Sequence, residues 1–352
     1  CIILYIYFMK RIGIIGASGF TGAELLRICA SHPEFKVQIA AADSMSGTKV
    51  SDLYPGLAAE YKELVFSPTD PTLFSDCDLV FLCLPHGASQ KLVPELIGKV
   101  ECLVDLGADY RLKNEALYPL WYDESHLNPE LLSEFSYGLP ELFRDEIKES
   151  NLISVPGCFP TAAVLALTPF TESELIEKSG LIVDAATGVS GAGRAPKDNT
   201  TFCAVDENYT AYGLLNHRHT PEIEQVLSEK ASDEVSVLFT PHLAPMTRGI
   251  LATCYARPIK DMDTEFALEV LDSYYSEEPF VVVDERSPST KATFGSNAVH
   301  LTARVDPRTG HLIVISAIDN LGKGASGGAV QCANLSLGLP EITGLTTAGV
   351  TP

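Results

Sequence analysis

The sequence predicts an α/β protein in two parts: a Rossmann-type domain on a parallel sheet, then an α+β domain with a mostly antiparallel sheet. Two observations carry this. In the first half, short apolar runs alternate with helical patterns, the signature of a doubly wound sheet. In the second half, apolar β-type runs follow one another with few helices between them. That pattern suits an antiparallel sheet with helices on one face.

Arg11–Ile15 reads as the first strand, followed by a glycine-rich turn and a helix over Thr21–Ala30. Val37–Ala42 is the second strand and ends at Asp43. Asp78–Leu84 is an apolar strand stopped by Pro85. A helix over Ser89–Ile97 and a strand over Cys102–Leu106 complete the alternation. Leu152–Val155 is a further strand, and a helix follows over Thr161–Leu167. The later strands are Leu181–Ala186, Val235–Phe239, Gly249–Tyr255, Phe280–Val283, Ala298–Val305 and Leu312–Ile318. Asp306–Gly310 is a hairpin turn between the last two. One helix, Thr264–Tyr275, interrupts them, and a last one over about Gly324–Leu337 is placed to pack back on the first domain. The boundary falls near Pro156-Gly157. It divides the chain into 9–157 with 320–352, and 158–319.

The chain has 352 residues, with Lys+Arg 25 and Asp+Glu 46, a formal net charge of −21. No basic stretch offsets that charge, which argues against a nucleic-acid partner. No apolar run reaches the roughly 18 residues of a membrane helix. The longest, Cys1–Met9, has no cation before it and Lys10 and Arg11 after it, unlike a signal peptide. Met9 looks like the start of the domain, so residues 1–8 are read as a dispensable extension or translated upstream sequence. The nine cysteines are scattered, with no C-x-x-C pair. That is neither a disulfide framework nor a zinc cluster, so no metal is expected, and it fits a reducing, cytoplasmic setting.

Gly13, Gly16 and Gly19 fall between strand and helix, within Gly13–Gly22. Glycines there allow a tight turn and let Ala17, Ser18, Phe20, Thr21 and Gly22 bring backbone N–H groups to a pyrophosphate. Asp43 ends the second strand, where an acid hydrogen-bonds the ribose of NAD and repels a 2′-phosphate. Ser44, Ser46 and Lys49 follow and suit a 2′-phosphate if Asp43 turns away. Both readings stay open.

Pro156-Gly157-Cys158-Phe159-Pro160-Thr161 puts a cysteine where a strand and turn give way to a helix, with Pro160 suited to the first helical position. Helix N–H groups and dipole there pull a thiol toward thiolate, as a nucleophile requires. Asn216-His217-Arg218-His219-Thr220-Pro221-Glu222 offers an acid/base histidine, with Thr220 as helix cap, Pro221 as first helical residue and Glu222 as a first-turn acid. The cap is expected to depress His219, leaving His217 freer to titrate as the acid/base and His219 as an orienting donor. The Thr187–Lys197 stretch, with Ser190, Gly191 and Arg194, reads as an anion-binding loop. Asp319–Gly328, with Asn320, is small-residue-rich and allows close approach to a ligand.

Taken in order, Gly13–Gly22, Leu106–Leu112, Tyr137–Glu141, Pro156–Thr161, Ser190–Arg194, His217–Ile223, His242–Gly249 and Asp319–Gly327 resemble the N-acetyl-gamma-glutamyl-phosphate reductases, relatives of aspartate-semialdehyde dehydrogenase. The likeness runs from about Lys10 to Leu337. Val155 and Phe159 depart from the family's usual Asn and Tyr around the cysteine. The resemblance implies NADP(H) as cofactor, bound at Gly13–Gly22 with Ser44, Ser46 and Asn320. It implies Cys158 as nucleophile, with His217 and His219 for proton transfer. Arg111, Ser190, Gly191, Arg194 and Glu222 would bind an acyl phosphate substrate. The implied reaction reduces N-acetyl-L-glutamyl 5-phosphate through a cysteine thioester, in arginine biosynthesis. The alternative is the same chemistry on an aminoadipyl phosphate in lysine biosynthesis. A homodimer or homotetramer is expected.

Overall fold

The structure, a computed structural model, describes residues 9–350, so the reading of residues 1–8 lies outside the described residues. The chain divides into two compact units. The first takes the residues up to Tyr110, Ser133–Val155 and Ala329–Leu345. The second takes Arg111–Leu132, Pro156–Gly328 and the residues from Thr346. These bounds differ from the expected ones, among other places at the residues from Thr346, which fall in the second unit. Arg111–Leu132 belongs to the second unit, because Gln225 Nε2 donates to the Arg111 carbonyl (3.0 Å) and Gln225 Oε1 accepts from Lys113 N–H (2.8 Å). The return to the first unit begins at Ala329 rather than 320, because Asn320 is hydrogen-bonded to Ser190 and Gly249.

In the first unit, β1 (Lys10–Ile15), β2 (Phe35–Ala41), β3 (Leu79–Leu82), β4 (Cys102–Asp105), β5 (Ser136–Tyr137) and β6 (Leu152–Ser154) form a six-stranded sheet in the order β2-β1-β3-β4-β6-β5. Every neighbouring pair is parallel. β3 and β4 are buried along their whole length, as strands covered on both faces must be. The chain winds from β1 outward to β2 and then back across to β3. The carboxyl end of β1 is therefore the switch point where such sheets bind ligands. β5 and the Pro140–Glu149 helix have no counterpart in the expected elements. β5 is two residues long, and the helix is interrupted by a non-helical Phe143 that breaks its periodicity.

The second unit holds β7 (Leu181–Thr187), β8 (Thr210–Ala211), β9 (Val237–Leu243), β10 (Ile250–Ala256), β11 (Val281–Val283), β12 (Val299–Val305) and β13 (Leu312–Ile318), ordered β11-β12-β13-β10-β7-β9-β8. The sheet is mostly antiparallel, with parallel pairs at β11/β12 and β7/β9. Helices Cys158–Glu172, Thr220–Ala231 and Thr264–Tyr274 pack on one face. The first of these is the core: it is buried without a break from Phe159 to Thr171. Along β7, β9 and β10 every second residue is buried. The other face carries Leu251, Ile313 and Ile315 half-buried, with Ile182 and Leu238 exposed at 36% and 49%. No helix among the described residues is long and apolar enough to cross a membrane.

Tyr275 is buried under this core, and its hydroxyl donates to the Leu165 carbonyl at 2.6 Å. Tyr275→Phe is expected to cost about 1 kcal/mol by removing that bond without changing packing. Urea unfolding followed by the single tryptophan, Trp121 in the second unit, should show a lower midpoint with an unchanged slope. An unmoved midpoint would refute it.

Candidate active site

Cys158 is the first residue of the Cys158–Glu172 helix, with Gly157 as its N-cap. Pro160 is thus the third helical residue, not the first, which it tolerates because the opening N–H groups of a helix have no internal partner. Two glycines make room around the cysteine. A Cβ on Gly157 would lie 2.3 Å from His219 Nε2, and one on Gly324 would lie 2.9 Å from the Cys158 Cβ. The expected thiolate is not found at rest. Burial pushes the thiol up to about 11, and Glu222 adds to the rise. The Arg111 guanidinium and the Phe159 N–H pull the other way and lose.

His217 and His219 stand together, ring centroids 4.7 Å apart, and both edge onto the Phe159 ring. His219 itself is the N-cap of the Thr220–Ala231 helix, one residue earlier than expected. The idea that His217 titrates freely is corrected as well. Burial, with Arg218 nearby, lowers it to about 4. His219 is also driven well below the ordinary imidazole range, by burial, His217 and Arg111. Both are neutral imidazoles at neutral pH. His217 Nδ1 accepts the His219 backbone N–H at 3.2 Å, which leaves Nε2 as its proton-bearing nitrogen.

The structure brings Arg111 and Glu222 to the same place. Glu222 is wholly buried; its Oε1 accepts the Gly157 N–H at 2.8 Å, and its Oε2 lies 3.6 Å from Arg111 Nη1. Glu222 therefore faces the turn before Cys158 and a cation. Tyr212 was not singled out in the sequence. Its ring meets His217 at 5.5 Å, and burial and Cys158 together raise its hydroxyl. No motif surrounds it; only its place before the histidine segment pointed there.

Ser190 and Gly191 lie on the turn after β7. The turn is tied down by Ser190 N–H to the Thr247 carbonyl and by Asn320 Nδ2 to Ser190 Oγ (3.0 Å). Asn320 Oδ1 also accepts the Gly249 N–H at 2.7 Å. Both ends of its buried amide are thus engaged inside the second unit, where it braces this turn. Asp319, fully buried, takes Arg248 at 3.0 Å and the N–H groups of Gly295, Leu321 and Gly322. Arg248 lay within a recognised stretch of sequence but had no role assigned to it. Arg194 is exposed on the loop beyond.

In the first unit, Gly16 has φ +81 at the carboxyl end of β1, and a Cβ there would strike the Cys83 carbonyl at 2.3 Å. Gly19 is the N-cap of the Phe20–Ser31 helix, and no side chain caps it. Tyr54 holds the Ser18 carbonyl at 2.6 Å, and Thr21 hydrogen-bonds Cys83. Gly16, Ala17, Ser18 and Gly19 thus form a cradle under a helix N-terminus, which fits a dinucleotide pyrophosphate. Gly13 and Gly22 are also needed for packing. Gly13 sits inside β1 against the Phe74 ring, and Gly22 lets the helix close on Ala17; both serve packing.

Asp43 accepts the Thr69 N–H at 2.7 Å, so its carboxylate is turned to the backbone. Ser44 and Ser46 are exposed beside it, and Lys49 pairs with Glu63 at 3.2 Å. The turn after β3 was also missed. Asp109, fully buried, accepts the Gly87 and Ser89 N–H groups and lies 2.6 Å from His86 Nδ1. Burial opposes the charge there, but His86 and the backbone donors outweigh it and hold the carboxyl below its usual range.

Comparison with known proteins gives a consistent result. Residues 11–150 match the family described as semialdehyde dehydrogenase, NAD binding domain, and residues 158–320 match semialdehyde dehydrogenase, dimerisation domain. An N-acetyl-gamma-glutamyl-phosphate reductase of Symbiobacterium thermophilum is 46% identical over 342 residues, 96% of this chain and 98% of the relative. One from Acetivibrio thermocellus is 44% identical over 344 residues, 97% and 99% of the two chains. Among solved structures, aspartate semialdehyde dehydrogenase II of Vibrio cholerae superposes with TM-score 0.70 at 16% identity, over 94% of this chain and 98% of that one. The Candida albicans enzyme with NADP gives TM-score 0.68 at 17% identity, over 93% and 98%. At those identities the structures speak for the fold.

A thiol held up to about 11 should react slowly with iodoacetamide at neutral pH, its rate rising with pH as the thiolate forms. Mass spectrometry of the Cys158 peptide in the ligand-free protein checks this. A rate that has already levelled off near neutral pH would show a resting thiolate.

Proposed function

The chain belongs to the N-acetyl-gamma-glutamyl-phosphate reductase family, and from that premise we propose that it reduces N-acetyl-L-glutamyl 5-phosphate to N-acetyl-L-glutamate 5-semialdehyde and phosphate with NADPH, in the cytoplasmic synthesis of arginine. The observation that carries this is Cys158 at the start of a buried helix, with Arg111 and two neutral imidazoles around it.

The chemistry follows from those groups. A neutral imidazole accepts the Cys158 proton, and the thiolate attacks the acyl carbon. Phosphate leaves and a thioester remains, which divides one hard step into two easier ones. NADPH, when bound, supplies the hydride that reduces the thioester carbonyl. The imidazolium stabilises the resulting thiohemiacetal oxygen and returns the proton to sulfur as the aldehyde departs. Arg111 offsets the negative charge of substrate and thiolate. Ser190, Gly191 and the exposed Arg194 suit the phosphate or α-carboxylate. Gly16–Gly19 would hold the cofactor's pyrophosphate. With Asp43 turned to Thr69, the exposed Ser44 and Ser46 suit the 2′-phosphate of NADP. The open sheet face with Ile182 and Leu238 suits a second copy of the chain, as a homodimer or a homotetramer built from it.

The direct test is an NADP-linked assay in reverse, with N-acetylglutamate semialdehyde and phosphate, run beside the aminoadipyl analogue. Turnover only of the longer substrate would move the assignment to lysine synthesis. Cys158→Ser should abolish the reaction while leaving NADPH binding near normal, because an alkoxide is not available at neutral pH. Retention of more than about a tenth of wild-type turnover would sink the covalent route.

We assign the proton transfer to His217, whose imidazole must turn from the His219 N–H to offer a nitrogen lone pair to the thiol, with His219 as an orienting donor. His217→Asn should cost roughly a hundred- to ten-thousand-fold in turnover. His219→Asn should act more on KM. If His219→Asn flattens the pH profile and His217→Asn keeps it, the two roles are exchanged.

A further inference from the structure

Glu222 is a wholly buried acid set among groups that handle an anionic substrate, and the chemistry above gives it no role. The charged and titratable groups around the amino end of the Cys158–Glu172 helix come from four places. Arg111 comes from the 111–132 segment, and Glu222 from the Thr220–Ala231 helix. Tyr212, His217, Arg218 and His219 come from the residues ahead of that helix. Lys323 is buried in the π-helical turn whose Gly324 meets the Cys158 Cβ. Among these described groups, Glu222 is the acid that bonds the Gly157 N–H.

We propose that Glu222 is a positioning residue that grips the peptide before the nucleophile with one oxygen and restrains the Arg111 guanidinium with the other. The inference rests on Cys158 being the nucleophile. Oε1 takes the Gly157 N–H at 2.8 Å, so it fixes the turn that aims the thiol. Oε2 lies 3.6 Å from Arg111 Nη1, so it helps to hold the guanidinium beside the sulfur. A carboxylate here would repel an acyl phosphate, which argues against direct contact with it. The same charge opposes ionisation of Cys158, while Arg111 favours it. The pair therefore balances the thiol between two opposed charges.

Glu222→Gln keeps an oxygen for the Gly157 N–H and removes the charge. In the full-length, ligand-free protein, iodoacetamide modification of Cys158 at about pH 9 should speed up about tenfold, the effect of one unit in thiol acidity. Cys254, buried in β10, should stay protected in the same digest. Arg111→Gln reads the pair from the other side and should slow modification by about tenfold. In turnover, Glu222→Gln should lower kcat with KM for the acyl phosphate changed less than about threefold. Unchanged Cys158 reactivity with a raised KM would make Glu222 a substrate ligand and overturn the proposal. So would acceleration shared by Cys254, which would mean a loosened fold, or an Arg111→Gln rate no lower than wild type. Thiol reactivity needs neither substrate nor cofactor. A protein that shows these shifts yet fails to reduce the acyl phosphate would refute the proposed reaction and leave this inference standing.

Discussion

The buried helix that begins at Cys158 is the constraint on which the site depends. From Phe159 to Thr171 it has no exposed side, so it cannot shift without opening the core of the second unit. Each large apolar side chain buried this way contributes about 1.5–3 kcal/mol, so the helix is the least movable object available. Cys158, at its first residue, inherits that rigidity, which is what orientation of the proposed nucleophile requires. The neighbours follow from it. Gly157 has no side chain because His219 occupies that space, and Gly324 has none because Cys158 does.

A second theme is the use of buried carboxylates as backbone templates. Glu222, Asp319 and Asp109 are each fully buried, and each accepts peptide N–H groups at a turn that carries chemistry. Each also faces a cation or imidazole: Arg111, Arg248 and His86. A carboxylate with several donors tolerates burial that an unpaired one would not. The net charge of −21 is thus uninformative about the interior. There a few acids are spent on shaping loops, and Arg111 supplies the local positive charge that anionic ligands need.

Much of the fold was legible because its signals are local. The glycine turn, the apolar β3 and β4 runs and the β12–β13 hairpin are read from spacing alone. β8 and β5 were not, since two-residue strands carry no period. The histidine pair and Cys158 could be picked out because their residue types are rare in turns at helix starts. Glu222 looked like a first-turn acid, and only the fold shows that Gly157, far away in sequence, claims its oxygen. Gly13 and Gly22 looked like ligand-facing glycines, yet a bulky partner such as Phe74 also demands a missing side chain. The ionisation states were the least legible. Helix position favours a thiolate, but how deeply a group is buried is a property of the whole fold.

The resting protonation state has its own logic. A thiolate–imidazolium pair in this pocket would place two charges where neither is well solvated, and burial opposes both. The neutral thiol and neutral imidazoles avoid that cost. The charge-separated pair is then needed only when an acyl group stands ready to accept the sulfur's electrons. Arg111 favours the charged sulfur, and burial, with a smaller push from Glu222, outweighs it. On this reading the site does not store a reactive thiolate. It holds a neutral thiol beside a guanidinium, and in the proposed route an imidazole takes the proton as the sulfur turns to the acyl carbon.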